Sequence, residues 1–173
     1  MKGATETDAA WMGRALELAR EAGEAGEVPV GAVVVRGDRL VATGRNRMRE
    51  FADPRAHAEM EAISAARQAT GSARLDGHTL YVTLEPCPMC AGAILLTRIE
   101  RLVFGAWDPR LGACGSQFDL PGAGILGDVR VRSEVLPEPC SALLSGWFEA
   151  RRFAGEEQAG EEQGGREQAG EEE

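Results

Sequence analysis

Apolar residues at Trp11, Ala15, Leu18, Ala19 and Ala22 recur at helical spacing and share one face, and Asp8 stands where it can cap that helix. Val30 to Val35 is a short β-branched run, Gly37-Asp38 is a turn signal, and Leu40 to Gly44 continues as a second strand. Together they predict a hairpin. Asp53-Pro54 breaks the chain, and helical spacing resumes through Met60, Ile63 and Ala66 to about Thr70. Thr79 to Leu84 reads as a buried strand. Pro86 and Pro88 suit the first turn of the next helix, where a missing N–H costs nothing. Ile99 to Phe104 and Val129 to Val135 are further strands, separated by a glycine-rich loop from Gly105 to Gly127, and Cys140 to Phe153 is a last helix. Strands and helices that alternate in this way predict a three-layer α/β fold around one central sheet.

Composition narrows the class. A chain of 173 residues that is 43% hydrophobic can bury a single core without disulfides. The N-terminal residues carry no apolar stretch, so neither a secretory signal nor a membrane span is expected, and a cytoplasmic location follows. The net charge of −9 argues against nucleic acid only at first sight. Eight acidic residues and one arginine lie between Gly155 and Glu173, in repeats of the kind Glu156-Glu157-Gln158-Ala159-Gly160, which leaves the first 154 residues at −2. The expected organisation is therefore one domain over residues 1–154 and an acidic, low-complexity, disordered tail over residues 155–173. Arg151-Arg152, beside Trp147 and Phe148, offers a local basic stripe within a near-neutral domain.

Two segments carry the candidate chemistry: His57-Ala58-Glu59 and Pro86-Cys87-Pro88-Met89-Cys90. Cysteines three apart on a first helical turn point the same way, and the free N–H groups of that turn favour thiolate over thiol. With a histidine they make a tetrahedral zinc site with one open position. That is the catalytic pattern, since structural zinc usually takes four protein ligands. Only His57 and His78 are available. His78 follows Asp76-Gly77 and reads as a surface turn position, whereas His57 opens a helix with Glu59 two residues on. Zinc brings the pKa of a bound water to about 7, and Glu59 is placed to move its proton. A lone H-x-E is weak evidence; joined to P-C-x-x-C it matches the paired motif of zinc-dependent base deaminases. A redox dithiol and a structural zinc module, with Cys114 as a fourth ligand, are the alternative readings. Cys140 reads as core packing.

From about Trp11 to Phe153 the chain resembles the bacterial tRNA-specific adenosine deaminases. The resemblance is carried by Val28-Pro29-Val30-Gly31-Ala32, Gly44-Arg45-Asn46, Ala56-His57-Ala58-Glu59 and the stretch Thr79 to Ala93. Val103-Phe104-Gly105-Ala106, Asp108, Gly112 to Ser116 and the end helix, with Ala142 to Ser145 and Arg151-Arg152, extend it. It implies a cytidine-deaminase-like α/β/α fold with a five-stranded mixed sheet, a homodimer and one zinc per subunit. It further implies conversion of adenosine to inosine at the wobble position of arginine tRNA with anticodon ACG. In that chemistry zinc-activated hydroxide attacks adenine C6, with His57, Cys87 and Cys90 as ligands and Glu59 as proton shuttle. By position, Asn46 would hydrogen-bond the purine, Val30 would line its pocket and Asp108 would contact a neighbouring ribose. Arg151 and Arg152 would hold phosphates, and Trp147 or Phe148 would meet bases or backbone. Neither a membrane nor DNA is an expected partner. The chain differs from the family at Arg110, where lysine is common, at Pro139, and at Leu126 to Asp128.

A deaminase of free guanine, cytosine or another small nucleobase would share H-x-E and P-C-P-M-C and is the alternative function. A zinc-stabilised RNA-binding module without catalysis is a third.

Overall fold

The computed structural model describes residues 6–168, with side chains from 7 to 152. Its elements run α1 (Glu6–Glu24), β1 (Gly31–Arg36), β2 (Arg39–Arg45), α2 (Ala58–Thr70), β3 (Thr79–Leu84), α3 (Pro88–Leu96), β4 (Arg101–Ala106), β5 (Arg130–Arg132) and α4 (Pro137–Gln168). The strands form one mixed sheet in the order β2-β1-β3-β4-β5. β1 pairs antiparallel with β2 and β3, whereas β3, β4 and β5 run parallel.

The period-two alternation of the strands sorts the core into two clusters. Ala32, Val34, Leu80, Val82, Leu102 and Phe104 pack against Ala58, Ala62, Ile63 and Ala66 of α2 and Ala91 and Ile94 of α3. Val33, Val35, Tyr81 and Val103 face the other way, onto Met12, Ala15 and Leu16 of α1 and Cys140 of α4. This is the expected three-layer arrangement. Two strand glycines allow the helices to lie close. A Cβ on Gly31 would collide with the backbone of Ala15 and Ala19, and one on Gly44 with the backbone of Ala58 and Ala62. Gly44 thus sets the seat of α2 and, with it, of the residues at its N-terminus.

Several local expectations are corrected. Asp8 is not a cap: it lies inside α1, buried, and its carboxylate accepts from Arg101 Nη2 at 2.7 Å and Tyr81 Oη at 2.8 Å, with Arg132 Nη1 at 3.2 Å. The last strand covers Arg130–Arg132 rather than Val129 to Val135, because Glu134 and Leu136 take left-handed backbone angles that end extended pairing. The last helix starts three residues before Cys140, at Pro137, whose ring fits a first helical turn. His78 is buried rather than on the surface, with Nδ1 3.0 Å from the Asp76 carbonyl oxygen. Its own carbonyl accepts the N–H groups of Glu100 and Arg101, which pulls the residue inward where β3 and β4 begin to pair. The helix α4 reaches Gln168, while residues 169–173 of the expected tail lie outside the described residues.

Candidate active site

The parallel strands β3 and β4 end side by side at Leu84 and Ala106. Crevices beyond the carboxyl ends of such strands are where open α/β sheets place their ligands. Here the N-terminal ends of α2 and α3 converge on that crevice. His57 is the N-cap of α2 and Cys87 the N-cap of α3, both with extended backbone, and Pro88 follows at the first helical turn. Neither side chain makes a capping bond to its helix, so imidazole and thiol are left to meet each other.

His57 Nδ1 lies 3.6 Å from Cys87 Sγ and 3.4 Å from Cys90 Sγ, and the three ligand atoms lie within 4.8 Å of one another. A tetrahedral zinc with Zn–S of about 2.3 Å and Zn–N of about 2.05 Å sets nitrogen and sulfur about 3.6 Å apart, so the donor set fits that ion. The electrostatics agree. The Cys87 thiol is pulled down to about 4, first by a hydrogen bond with Cys90 and then by His57. Cys90 is pushed up by the same bond and by burial. The His57 imidazole is raised, chiefly by its hydrogen bond with Cys87. Burial pushes the Glu59 carboxyl up to about 7, and a hydrogen bond with Cys90 is among the effects that oppose it. Two sulfurs and a buried carboxyl crowded together resist simultaneous ionisation, and a divalent cation relieves that repulsion.

A cavity of ≈ 400 Å³ opens above this group. Glu59 lines it together with His57, Cys87, Val30, Asn46 and Asp108, so the structure brings six of the sequence-expected residues to one place. Asn46 and Val30 are both buried, and the Asn46 N–H donates to the Val30 carbonyl at 3.0 Å, which fixes the two relative to each other. Asp108 uses Oδ1 to accept the N–H groups of Arg110 at 2.9 Å and Leu111 at 3.2 Å, shaping the turn it opens. Arg152 is exposed on α4 and does not line the cavity. Arg151 lies over the Trp147 ring at 4.6 Å and donates to the Gly26 carbonyl, so this pair folds back onto the domain. Phe148, 44% exposed, does line the cavity.

Two buried carboxylates that sequence reasoning did not single out as site residues hold the walls. Glu27 accepts the N–H groups of Arg49 at 2.8 Å and Glu50 at 2.9 Å, and so shapes the turn after Asn46. Glu85 accepts those of Asp108, Cys114 and Ser116, each at 3.0 Å, together with the Ser116 hydroxyl. It thereby ties the loop bearing Asp108 to the segment bearing Cys87. A charged residue wedged between an apolar strand and Pro86 was the available signal for it.

Residues 5–106 match the family model of the cytidine and deoxycytidylate deaminase zinc-binding region. The chain is 44% identical over 146 residues to the tRNA-specific adenosine deaminase of Bacillus subtilis, across 84% of this chain and 91% of that protein. It is 47% identical over 150 residues to the tRNA-specific adenosine deaminase of Haemophilus influenzae, across 86% and 87%. A structure from a study of A-to-I editing by tRNA:A34 deaminases at the wobble position of transfer RNA matches with a TM-score of 0.76 at 44% identity. That match covers 78% of this chain and 99% of the other. The guanine deaminase of Nitrosomonas europaea shares the fold with a TM-score of 0.72 at 28% identity, over 80% and 83%. The chain belongs to the zinc-binding cytidine and deoxycytidylate deaminase family, among the tRNA-specific adenosine deaminases.

Proposed function

We propose that the chain deaminates adenosine to inosine in tRNA, at the wobble position of an arginine tRNA with anticodon ACG. The observation that carries the chemistry is the buried Glu59 carboxyl beside the His57, Cys87 and Cys90 trio on the floor of a cavity open to solvent. The substrate class is supported by identities of 44% and 47% to tRNA-specific adenosine deaminases.

His57, Cys87 and Cys90 would hold the zinc, which supplies the Lewis acidity that brings a water's pKa towards neutrality, about 7. Glu59 takes the proton of the attacking water and delivers it to N1 of the adenine as oxygen bonds to C6. It then carries the second proton to the amino group, which leaves as ammonia when the C6–N bond breaks. Burial raises the Glu59 carboxyl above its ordinary range, which strengthens it as a base for that proton. Asn46 holds the purine by its amide, Val30 packs against the ring, and Asp108 keeps its second oxygen for a ribose hydroxyl. Arg152 sits on the part of α4 outside the cavity, where it meets phosphates of the strand.

A homodimer fits the exposed Leu96 and Ile125, 67% and 81% accessible, which cost free energy when left in water. No helix among the described residues is long and apolar enough to cross a membrane, and a cytoplasmic tRNA substrate without a DNA partner completes the reading. Truncation after residue 154 should leave zinc content and melting unchanged if residues 1–154 form the whole domain.

The likeness to guanine deaminase favours one second reading, deamination of a free base. Zinc-loaded protein assayed on arginine tRNA and on free guanine, cytosine and adenine separates the two. Inosine in the tRNA with slow turnover of free bases supports the tRNA reading; the reverse pattern removes it.

A further inference from the structure

We propose that Trp107 is a stacking platform for a base that adjoins the target adenosine in the RNA strand. The proposal rests on the tRNA reading above and adds a determinant of RNA affinity to it. Trp107 directly follows the last residue of β4 and lines the catalytic cavity while remaining 41% exposed. Its ring is held from below on two sides. Phe104 meets it edge to face, with centroids 4.8 Å apart at 79°. Gly115 packs so close that a Cβ there would stand 3.1 Å from Cζ3 and 3.3 Å from Cη2 of the indole, and its φ of +137° excludes most side chains in any case. The next residue along the chain is pinned as well, through the Asp108 N–H to Glu85.

The side chain is thus large, apolar, rigidly seated and still open to water at the mouth of a site for a base. An exposed arginine, Arg110, and the exposed ring of Phe148 line the same cavity. Preset aromatic faces beside arginine are what single-stranded RNA needs once its bases are splayed apart, because every base offers a π face. Leu96 and Ile125, the two most exposed large apolar residues, do not line the cavity, and the exposed Leu111 is the one aliphatic side chain of that kind that does. Continuity with the catalytic site therefore favours a base over a second protein as the occupant of Trp107.

The test uses the zinc-loaded full chain and an anticodon stem-loop with the ACG sequence. Removal of a base-stacking aromatic costs roughly a 10- to 100-fold loss of affinity. Trp107→Ala should therefore raise KM by that factor and leave kcat nearly unaltered, while Trp107→Phe keeps most of the affinity. The stem-loop should quench tryptophan fluorescence in wild type, where Trp11, Trp107 and Trp147 are the emitters, and quench Trp107→Phe much less. A stem-loop with the adjoining nucleotide made abasic should lose the same factor with wild type and almost nothing further with Trp107→Ala. Zinc content of both variants should match wild type, and loss of the Phe104 contact should lower the melting temperature of Trp107→Ala by only about 2–6 °C. Unchanged KM in Trp107→Ala, or equal abasic losses in both proteins, would overturn the proposal alone. So would an altered oligomeric state with intact RNA affinity, which would make Trp107 a protein contact. Inactivity of the wild type on the stem-loop removes the tRNA reading and this proposal together.

Discussion

Replacing Glu85 with glutamine exchanges a carboxylate that accepts four hydrogen bonds for an amide that can accept on one oxygen only. Oε1 takes the N–H groups of Cys114 and Ser116 at 3.0 Å, and the amide oxygen can keep both. Oε2 takes the Asp108 N–H at 3.0 Å and the Ser116 hydroxyl. An NH₂ group there faces the Asp108 N–H donor to donor, although the hydroxyl can rotate and accept. One part-buried backbone donor is therefore stranded, at about 1–3 kcal/mol, and the two surviving bonds lose their charge assistance, so the sum is about 2–4 kcal/mol. For a chain of this size each kcal/mol shifts the melting temperature by about 2–4 °C, which puts Glu85→Gln roughly 5–15 °C below wild type. Because the freed segment carries Trp107, Asp108 and Arg110, kcat/KM on tRNA should fall more than zinc content does. Gly112→Ala should behave similarly, since its Cβ would collide with the Glu85 carboxylate. Thermal melting, metal analysis and steady-state kinetics on the same preparations read all three effects. A Glu85→Gln protein that melts within a degree of wild type with unchanged kcat/KM would refute the claim that this carboxylate organises the loop.

Other expected outcomes follow from the same geometry. His57→Ala, Cys87→Ala and Cys90→Ala should each lose zinc, as metal analysis after dialysis would show, because two remaining ligands hold the ion poorly. Asp8→Asn should lower the unfolding free energy by about 2–4 kcal/mol in urea titration. That is less than the full cost of breaking an enclosed pair, because the Arg101 and Arg132 side chains remain 26% and 25% exposed. Arg101, first among several causes, holds the Asp8 carboxyl below its ordinary 3.8. Such a group stabilises above its unfolded value and loses that contribution as pH falls through the lower folded value. Wild type should therefore lose stability more steeply than Asp8→Asn below about pH 4.

The candidate metal group and the carboxyl beside it are legible in the sequence because each segment is local. Cys87 and Cys90 share one helical turn after a proline, and His57 and Glu59 sit two positions apart, so only the meeting of two helix ends had to be supplied by the fold. The limits of Thr79–Leu84 are legible for the same reason, as a run of apolar and β-branched residues between a turn and Glu85-Pro86. What escapes the sequence depends on partners far along the chain. Asp8 has the residue type and place of a cap, yet its partner Arg101 is 93 positions away. Glu27 and Glu85 look like solvated charges until the loops 22 to 31 positions downstream fold over them. His78 follows a turn and still goes inside, because β3 and β4 draw its backbone into their pairing. Trp147 and Phe148 are adjacent, and only the seat of α4 decides that Arg151 stacks on the first while the second lines the cavity.

Single-turnover conversion of adenosine to inosine in arginine tRNA of anticodon ACG, by zinc-loaded wild type and zinc-loaded Glu59→Gln, tests the assignment most directly. Wild type should place inosine at the wobble position. Glu59→Gln should keep its zinc and its melting temperature while the rate falls roughly 10²- to 10⁴-fold, the usual worth of a positioned proton carrier. No inosine from zinc-loaded wild type, or equal rates from the two proteins, would contradict it.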